Sequence, residues 1–258
     1  EARAHSMASR FLCLHGYGQS AEVLRSRTGS LRRALKGLVG EFVFLDAPHP
    51  CTNFLPEEPE AAAQRFGWWD WTVEPDGEKR RFGWPESEAK LLQVLDSDSQ
   101  GFDGVLGFSQ GAVAGAMLCA KRPAHFRVAV LVAGGVPSDP SMREDLATVA
   151  SSCGEVGAGD MPPAIHVYGE ADRLILPEAV LDLAAMWRGP AETFGHPGGH
   201  MIPSSKGFRD AVCTFVRDAL TARGARRQTQ ASGSPPEEAL GCDELLSPIV
   251  ARRQQQQN

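Results

Sequence analysis

The stretch DGVLGFSQGAVAGAM, from Asp103 to Met117, decides the fold. Its apolar run ends in Ser109, which has glycine at both second neighbours, Gly107 and Gly111, and small helix-forming residues follow. The pattern predicts a strand, a sharp turn and a helix, because side chains at the two glycine positions would collide where strand and helix converge. Ser109 would then project as a nucleophile from the carboxyl edge of a sheet, above a helix N-terminus. The simpler alternative is a turn that happens to contain serine.

Apolar runs and helical patterns alternate along the rest of the chain. The runs are apolar throughout and not only at every second residue, which is typical of parallel strands covered on both faces. The candidate strands are 10–16, 41–48, 103–107, 127–135, 164–169 and 191–195. The candidate helices are 21–36, 86–95, 110–120, 177–187 and 205–220. We therefore predict an α/β fold with a mostly parallel sheet of about six strands flanked by helices.

Composition divides the chain into one domain and two tails. Residues 10–222 carry all the predicted strands and helices and are expected to form a single domain. Residues 1–9 form an N-terminal tail. Residues 223–258 are rich in Arg, Gln, Ser, Pro and Glu, and predict a disordered low-complexity tail because they cannot bury enough apolar surface. Within the domain, the connection 51–84 carries four tryptophans and is a candidate lid or pocket wall.

The chain is acidic, with a net charge of −6 over 258 residues and no long run of Lys or Arg. Neither nucleic acid nor an anionic membrane is expected as a partner. No run reaches the roughly 18 apolar residues of a membrane span, and the first residues lack the apolar segment of a secretory signal. The six cysteines show no CxxC pair or metal-ligand spacing. Reduced thiols of this kind are typical of cytoplasmic proteins and also fit a nuclear location.

A serine nucleophile needs a base, and the base needs a carboxylate that orients it. In a sheet of this kind both follow the serine along the chain, on loops at later strand ends. Asp172 follows the run that ends at Gly169, and His200 lies on a Pro-Gly-Gly loop beyond the next run. Taken singly, Asp172 also fits a capping residue and His200 a surface histidine, but their joint order favours a catalytic triad with Ser109. His196 is the alternative base, and the loop-tip position favours His200.

The tetrahedral intermediate of such a reaction needs two backbone N–H donors. One is expected from Gln110, the residue after the nucleophile. The other is expected from the glycine-rich turn HGYGQS after the first predicted strand, where Tyr17 is the candidate. The HPGGH spacing does not suit a metal site. This chemistry needs no metal or organic cofactor.

Trp68, Trp69 and Trp71 form an aromatic cluster in the long connection. Their uneven spacing prevents all three from facing one side of a strand. Two alternatives stay open: the cluster seals the core, as aromatic clusters usually do, or it forms an apolar acyl pocket beside Ser109.

Six blocks of the sequence, in this order, resemble the FSH (family of serine hydrolases) domain of the α/β-hydrolase superfamily, whose members include the ovarian-cancer-associated protein 2 hydrolases. The blocks are LCLHGYGQSAEVLRSRTGSLRRALKG, FVFLDAPHP, FGWWDW, FDGVLGFSQGAVAGAML, IHVYGEADRLI and HPGGHMIP. They run from about Phe11 to about Leu220. One turn departs from the family pattern: Ala133-Gly134-Gly135 stands where the family often has a Ser-Gly-Phe-like turn.

The resemblance implies an α/β-hydrolase fold and a serine hydrolase that cleaves carboxylic esters or thioesters, often with acyl chains. It places Ser109, Asp172 and His200 at the positions of the family's triad. The expected partner is therefore a small-molecule acyl ester or thioester. Two other functions remain alternatives: a binding protein that uses the hydrolase pocket with little or no catalysis, and an amidase or peptidase, although peptidases of this superfamily commonly carry a large added domain.

Overall fold

Six parallel strands form the central sheet of the computed structural model, which describes residues 9–51, 65–148 and 161–231. The strands in chain order are β1 Ser9–Leu14, β2 Val39–Leu45, β3 His49–Pro50, β4 Phe66–Gly67, β5 Asp70–Val73, β6 Lys79–Phe82, β7 Gly104–Phe108, β8 Val128–Val132, β9 Ala164–Gly169 and β10 Ala191–His196. The central sheet has the order β10-β9-β8-β7-β1-β2, while β3 pairs with β4 and β5 with β6 in two small antiparallel ribbons.

Each of the six apolar runs in the sequence is a strand of this parallel sheet, so the predicted fold class is confirmed. The reason is burial on both faces. Every residue of β7 and of β8 is buried, which requires apolar or small side chains at successive positions.

Helices cover the two faces of the sheet. They are α1 Ala21–Arg27, α2 Gly29–Ala34, α3 Trp84–Ser97, α4 Gln110–Lys121, α5 Pro140–Thr148, α6 Pro177–Met186 and α7 Lys206–Ala231. Alternate residues of β1 serve opposite faces: Leu12 and Leu14 belong to one apolar cluster with residues of α3 to α6, and Phe11 and Cys13 to another with residues of α1, α2 and α7. The sheet is thus the middle of three layers.

Strand β1 lies between β2 and β7, so the chain builds outward from β1 in both directions. The connections that leave the carboxyl ends of β1 and β7 therefore diverge and open a crevice between them. Ligands of open α/β sheets bind in such a crevice. Ser109 follows β7, and the turn containing Tyr17 follows β1.

Some boundaries differ from the sequence predictions. The predicted helix 21–36 is two helices, because the hydroxyl of Thr28 donates to the carbonyls of Leu24 and Arg25 and ends the first one. Helix α5 was not predicted, since it lacks a marked apolar stripe. The last helix continues to Ala231, past the predicted domain end at residue 222.

The predicted tails are described only at their inner ends. Strand β1 begins at Ser9, the last residue of the predicted N-terminal tail, and residues 1–8 and 232–258 lie outside the described residues. Backbone contacts divide the chain into one unit over Glu1–Gly224, which contains the sheet, and another over Ala225–Asn258. Across the described ranges, no helix combines the length and the apolarity needed to cross a membrane. Cys13, Cys51, Cys119 and Cys213 are cysteines outside any disulfide, and Cys153 and Cys242 fall outside the described residues.

Candidate active site

Ser109 lies on a sharp turn between β7 and α4. Its backbone has φ 54° and ψ −122°, a positive-φ conformation that costs a non-glycine residue about 1–3 kcal/mol. Both flanking glycines are required by space: a Cβ on Gly107 would lie 2.4 Å from the carbonyl oxygen of Gly111, and a Cβ on Gly111 would lie 2.2 Å from that of Leu14. The chain therefore forms the strained elbow that the GFSQG pattern predicted.

The structure brings Ser109, His200 and Asp172 together in one hydrogen-bonded line. Nε2 of His200 lies 2.9 Å from Oγ of Ser109, and Nδ1 of His200 lies 2.7 Å from Oδ2 of Asp172. The Asp172 side chain is almost fully buried, whereas the side chain of His200 retains 17% of its exposure. Such a line can move a proton from the serine to the imidazole while the carboxylate stays ionised.

Local structure fixes the carboxylate. The second oxygen of Asp172, Oδ1, accepts the backbone N–H groups of Leu174 and Ile175 at 2.9 and 3.0 Å. Gly169, just before this turn, lets the Asp172 and His200 loops meet, because a Cβ there would lie 2.5 Å from the carbonyl oxygens of Gly198 and Gly199. The orientation of the carboxylate is thus set before any ligand binds.

His196 is buried and occupies a different position from His200. Its Nδ1 accepts the backbone N–H of Gly198 at 3.1 Å, and its carbonyl accepts the N–H of Glu170. Burial lowers the pKa of His196, which favours the neutral ring. His196 therefore braces the loop that carries His200, and His200 makes the contacts with Ser109 and Asp172.

The two candidate oxyanion donors lie on the two sides of the crevice. Gln110 is the first residue of α4, where N–H groups have no intrahelical acceptor. Tyr17 lies in the turn after β1, and this turn passes beside the serine: a Cβ on Gly16 would lie 3.1 Å from Cβ of Ser109. The helix N-terminus adds a partial positive charge on the side of Gln110.

His15 fixes the start of the Tyr17 turn. Its Nε2 accepts the N–H of Ala47 at 3.0 Å, so the ring proton is on Nδ1, which donates to the carbonyl of Gly16 at 2.8 Å. The ring is fully buried, and this burial lowers its pKa. The bond from Ala47 requires a neutral ring, which burial favours, and the two contacts together fix the Nδ1–H tautomer.

The three tryptophans have different surroundings. Trp68 has no exposed surface, and its indole N–H donates to the carbonyl of His15 at 2.8 Å, so the core alternative describes this residue. Trp71 is partly exposed and its ring packs against Tyr17 with a centroid distance of 4.8 Å. Trp69 is half-buried and meets Trp84 edge to face at 5.9 Å.

Trp69 and Trp84 form part of the wall of a cavity of about 350 Å³. The remaining lining combines apolar and charged side chains, namely Arg81, Phe82, Gly83, Pro85, Glu86, Asp139, Ser141 and Met142. The cavity is linked to the serine turn through Trp69, whose carbonyl accepts a hydrogen bond from Nε2 of Gln110 at 2.8 Å. Trp69 therefore lines a cavity, whereas Ser109, Asp172 and His200 are not among the residues that line it, so the acyl-pocket alternative stays a prediction.

Sequence reasoning missed the side chain of Gln110 and the contacts of Asp70. The glutamine was identified only through its backbone, yet its side chain also bonds to the backbone of Trp68 and Trp69. Asp70 is buried and accepts the Tyr17 hydroxyl at 2.8 Å. A polar residue inside an apolar stretch, as in FGWWDW, is the signal that could have found Asp70.

Comparison with known proteins identifies the family of the chain. A family model described as Serine hydrolase (FSH1) matches residues 5–212. Esterase OVCA2 of Danio rerio is 33% identical over 236 residues, which covers 81% of this chain and 96% of that protein.

Two solved plant structures share the fold. SOBER1 of Arabidopsis thaliana has a TM-score of 0.59 at 18% identity, covering 83% of this chain and 99% of that one. Acyl-protein thioesterase 2 of Zea mays has a TM-score of 0.54 at 17% identity, covering 85% and 97%. At these identities the likeness concerns the fold, which is the α/β-hydrolase fold expected from the six blocks.

Proposed function

The chain belongs to the serine hydrolase (FSH1) family, and from this premise we propose that it hydrolyses acyl esters or thioesters through an acyl-enzyme intermediate on Ser109. One observation carries the proposal: the unbroken line of contacts from the Ser109 hydroxyl through the His200 ring to the Asp172 carboxylate. A serine hydroxyl barely ionises at neutral pH, and this arrangement supplies the base that it needs.

In the acylation step, Oγ of Ser109 attacks the carbonyl carbon of the substrate while Nε2 of His200 takes the hydroxyl proton. The tetrahedral intermediate collapses when the bond to the leaving alcohol or thiol breaks and the same Nε2 returns the proton to it. In the second half, Nε2 takes a proton from water, the hydroxide adds to the acyl carbon, and Oγ leaves with that proton. The net reaction consumes one water and releases a carboxylic acid.

Asp172 orients the base during both halves. Its Oδ2 accepts Nδ1–H of His200, which keeps Nε2 as the acceptor that faces Ser109. When His200 gains a proton, the buried carboxylate stabilises the imidazolium. The two backbone bonds to Oδ1 keep the carboxylate from turning away.

The backbone N–H groups of Tyr17 and Gln110 are proposed to hold the oxyanion. They approach the serine from β1 and from α4, and the carbonyl oxygen of a substrate bound to Ser109 would lie between them. Donors that are already in position gain strength as negative charge develops, and one such donor contributes roughly a hundredfold to a thousandfold in rate.

The cavity beside Trp69 is proposed to receive the acyl chain. Its indole walls are apolar, and its volume of about 350 Å³ lies within the range of small-molecule sites. The relative from Danio rerio is named an esterase and the Zea mays structure an acyl-protein thioesterase, names that fit acyl transfer from oxygen or sulfur. Buried methylene groups contribute about 0.8 kcal/mol each, so longer chains should be favoured until the cavity is full.

Covalent labelling tests the proposal. A fluorophosphonate probe phosphonylates an activated serine, so the wild-type chain should be labelled and should turn over a p-nitrophenyl ester, and Ser109→Ala should do neither. Labelling that persists in Ser109→Ala would refute the assignment of the nucleophile. Labelling of Ser109 without turnover of any ester or thioester would favour the binding-protein alternative.

A further inference from the structure

One short segment, Phe66–Asp70, binds the turn His15–Gln19 that carries Tyr17, and we call this segment the strap. At one end, the N–H of Phe66 donates to the carbonyl of Gln19 at 2.8 Å, and the carbonyl of Phe66 accepts the N–H of Gly18 at 3.0 Å. At the other end, Asp70 accepts the hydroxyl of Tyr17 at 2.8 Å. The turn after β1 is therefore held along its length by the strap.

Trp68, in the middle of the strap, contacts both sides of the crevice. Its indole N–H donates to the carbonyl of His15, on the β1 side, at 2.8 Å. Its backbone N–H donates to Oε1 of Gln110, on the α4 side, at 2.7 Å. Its carbonyl accepts the hydroxyl of Ser87, which anchors the strap to α3. The side chain is fully buried, so water does not compete for these bonds.

The side-chain amide of Gln110 joins the strap to α4. Oε1 accepts the N–H of Trp68 while Nε2 donates to the carbonyl of Trp69 at 2.8 Å, so the side chain pairs with one peptide group on each side of the Trp68–Trp69 bond. A backbone N–H is only a donor and a carbonyl only an acceptor, so these partners fix which way the amide faces.

We propose that Trp68 and the side chain of Gln110 are positioning residues that hold the two oxyanion donors, the N–H groups of Tyr17 and Gln110, at a fixed separation. The inference rests on the proposed function. Neither side chain needs to touch the substrate, because both act through the backbone of the turn and of α4.

The topology of the sheet explains why the separation of the two donors has to be fixed by other contacts. The donors lie on connections that leave β1 and β7 and then diverge, so the sheet alone does not set the gap between Tyr17 and Gln110, which lies beyond the contact of Gly111 with the carbonyls of Leu14 and His15. Preorganised donors stabilise an oxyanion only when their positions are fixed to within about 0.5 Å. The path His15–Trp68–Gln110 consists of two buried hydrogen bonds and crosses that gap directly.

Trp68→Phe tests the path while keeping an aromatic ring in the core. Trp187→Phe is the matched control, because Trp187 is also a buried tryptophan whose indole N–H donates to a backbone carbonyl, that of Pro162, at 2.9 Å. Both variants lose one buried bond of the same kind, so their urea unfolding midpoints should fall by similar amounts. Gln110→Met is a second test variant, since it keeps the backbone donor and removes both side-chain bonds.

The readout is the inhibition constant of an alkyl trifluoromethyl ketone, measured beside kcat and KM for a p-nitrophenyl ester. The Ser109 hydroxyl adds to the carbonyl carbon of the ketone and forms a hemiketal whose oxygen occupies the oxyanion position. In Trp68→Phe and Gln110→Met we expect kcat to fall and the inhibition constant to rise in parallel, roughly tenfold to a hundredfold, with KM changed less than about threefold. Trp187→Phe should leave all three values at the wild-type level.

The outcomes are distinct. If the folded Trp68→Phe and Gln110→Met proteins keep the wild-type inhibition constant, as Trp187→Phe should, both side chains are merely structural and the inference is overturned. Should one variant fail to fold, the other decides. Wild-type protein that neither turns over esters nor reacts at Ser109 would overturn the proposed function itself, and the inference with it.

Discussion

Oδ2 of Asp172 lies 2.7 Å from Nδ1 of His200, while Oδ1 of the same carboxylate accepts two backbone N–H groups. Because the two oxygens of the carboxylate have different partners, the result of Asp172→Asn can be predicted. The amide oxygen has to remain on the backbone donors, so the NH₂ group faces Nδ1 and forces the ring proton onto Nε2. In that tautomer His200 cannot accept the serine proton.

Asp172→Asn should therefore lower kcat by roughly three to four orders of magnitude, with little change in the free energy of unfolding. Ester turnover and urea unfolding of the same preparation measure the two quantities. A variant within about tenfold of wild-type kcat would mean that the carboxylate does not set the tautomer.

Alanine variants of the two neighbouring histidines, His200 and His196, should differ strongly in activity. His200→Ala removes the group in contact with Ser109 and should reduce kcat by several orders of magnitude. His196→Ala removes one bond to Gly198, worth about 1 kcal/mol, and should keep most of the activity. Ester turnover at saturating substrate ranks the two, and the reverse ranking would move the base to His196.

Two glycines of α4, Gly111 and Gly115, should differ in how much stability the protein loses when each is replaced by alanine. A Cβ on Gly111 would lie 2.2 and 2.4 Å from the backbone oxygens of Leu14 and His15, which cannot move without displacing the end of β1. Gly111→Ala should lose at least about 2 kcal/mol of unfolding free energy. Gly115→Ala is the control, because its nearest neighbour is a Val105 methyl at 3.2 Å and alanine is the better helix former. Equal urea midpoints for the two variants would contradict the crowding argument.

The elbow and the order of the triad could be predicted from the sequence because both depend on local chemistry. GFSQG specifies a close approach of strand and helix, and the positions of Asp172 and His200 follow from where parallel strands end. The six strands were equally visible, since burial on both faces leaves continuous apolar runs. The cytoplasmic location predicted from the composition stays a prediction.

The strap could not be predicted, for a physical reason. Its strands β4 and β5 are too short to show periodicity, and its bonds join Trp68 to residues far away along the chain. Nothing in a tryptophan-rich segment indicates whether an indole N–H meets a carbonyl or faces solvent. The break at Thr28 was missed for a similar reason, because a threonine hydroxyl that returns to its own helix leaves no mark on hydrophobic spacing.

The cavity beside Trp69 predicts how acyl length should affect activity. For the wild type, kcat/KM for p-nitrophenyl esters should rise about threefold to fourfold per methylene group until the cavity is filled. Ser141 is exposed and lines the cavity, so Ser141→Trp should stop this rise at a shorter chain and leave the acetyl ester unaffected.

Ser138→Trp provides the comparison, because Ser138 is also exposed and is not one of the lining residues. It should show the wild-type dependence on chain length. If Ser141→Trp and Ser138→Trp give the same series, the acyl chain binds elsewhere.

His166 should make the protein sensitive to mild acid. The ring is fully buried in β9, packs edge to face on Trp187 at 5.2 Å, and has no hydrogen-bond partner among the described residues for either nitrogen. Burial lowers its pKa from 6.5 to about 4. Below pH 6.5 the unfolded chain binds a proton at this position and the native protein does not, so stability falls as the pH drops. The loss is complete near pH 4 and amounts to about 3 kcal/mol.

His166→Phe should remove this pH dependence and keep the ring packing on Trp187. Urea denaturation between pH 7 and 5 gives the slope of unfolding free energy against pH, which is proportional to the number of protons taken up on unfolding. In His166→Phe this number should be smaller by up to one. Trp187→Phe serves as the control, because it weakens the same packing and leaves the titrating group in place, so its slope should match that of the wild type. Since the phenylalanine also removes buried nitrogens without partners, His166→Phe should be at least as stable as the wild type at pH 5. An unchanged slope in His166→Phe would mean that the acid sensitivity originates at other groups.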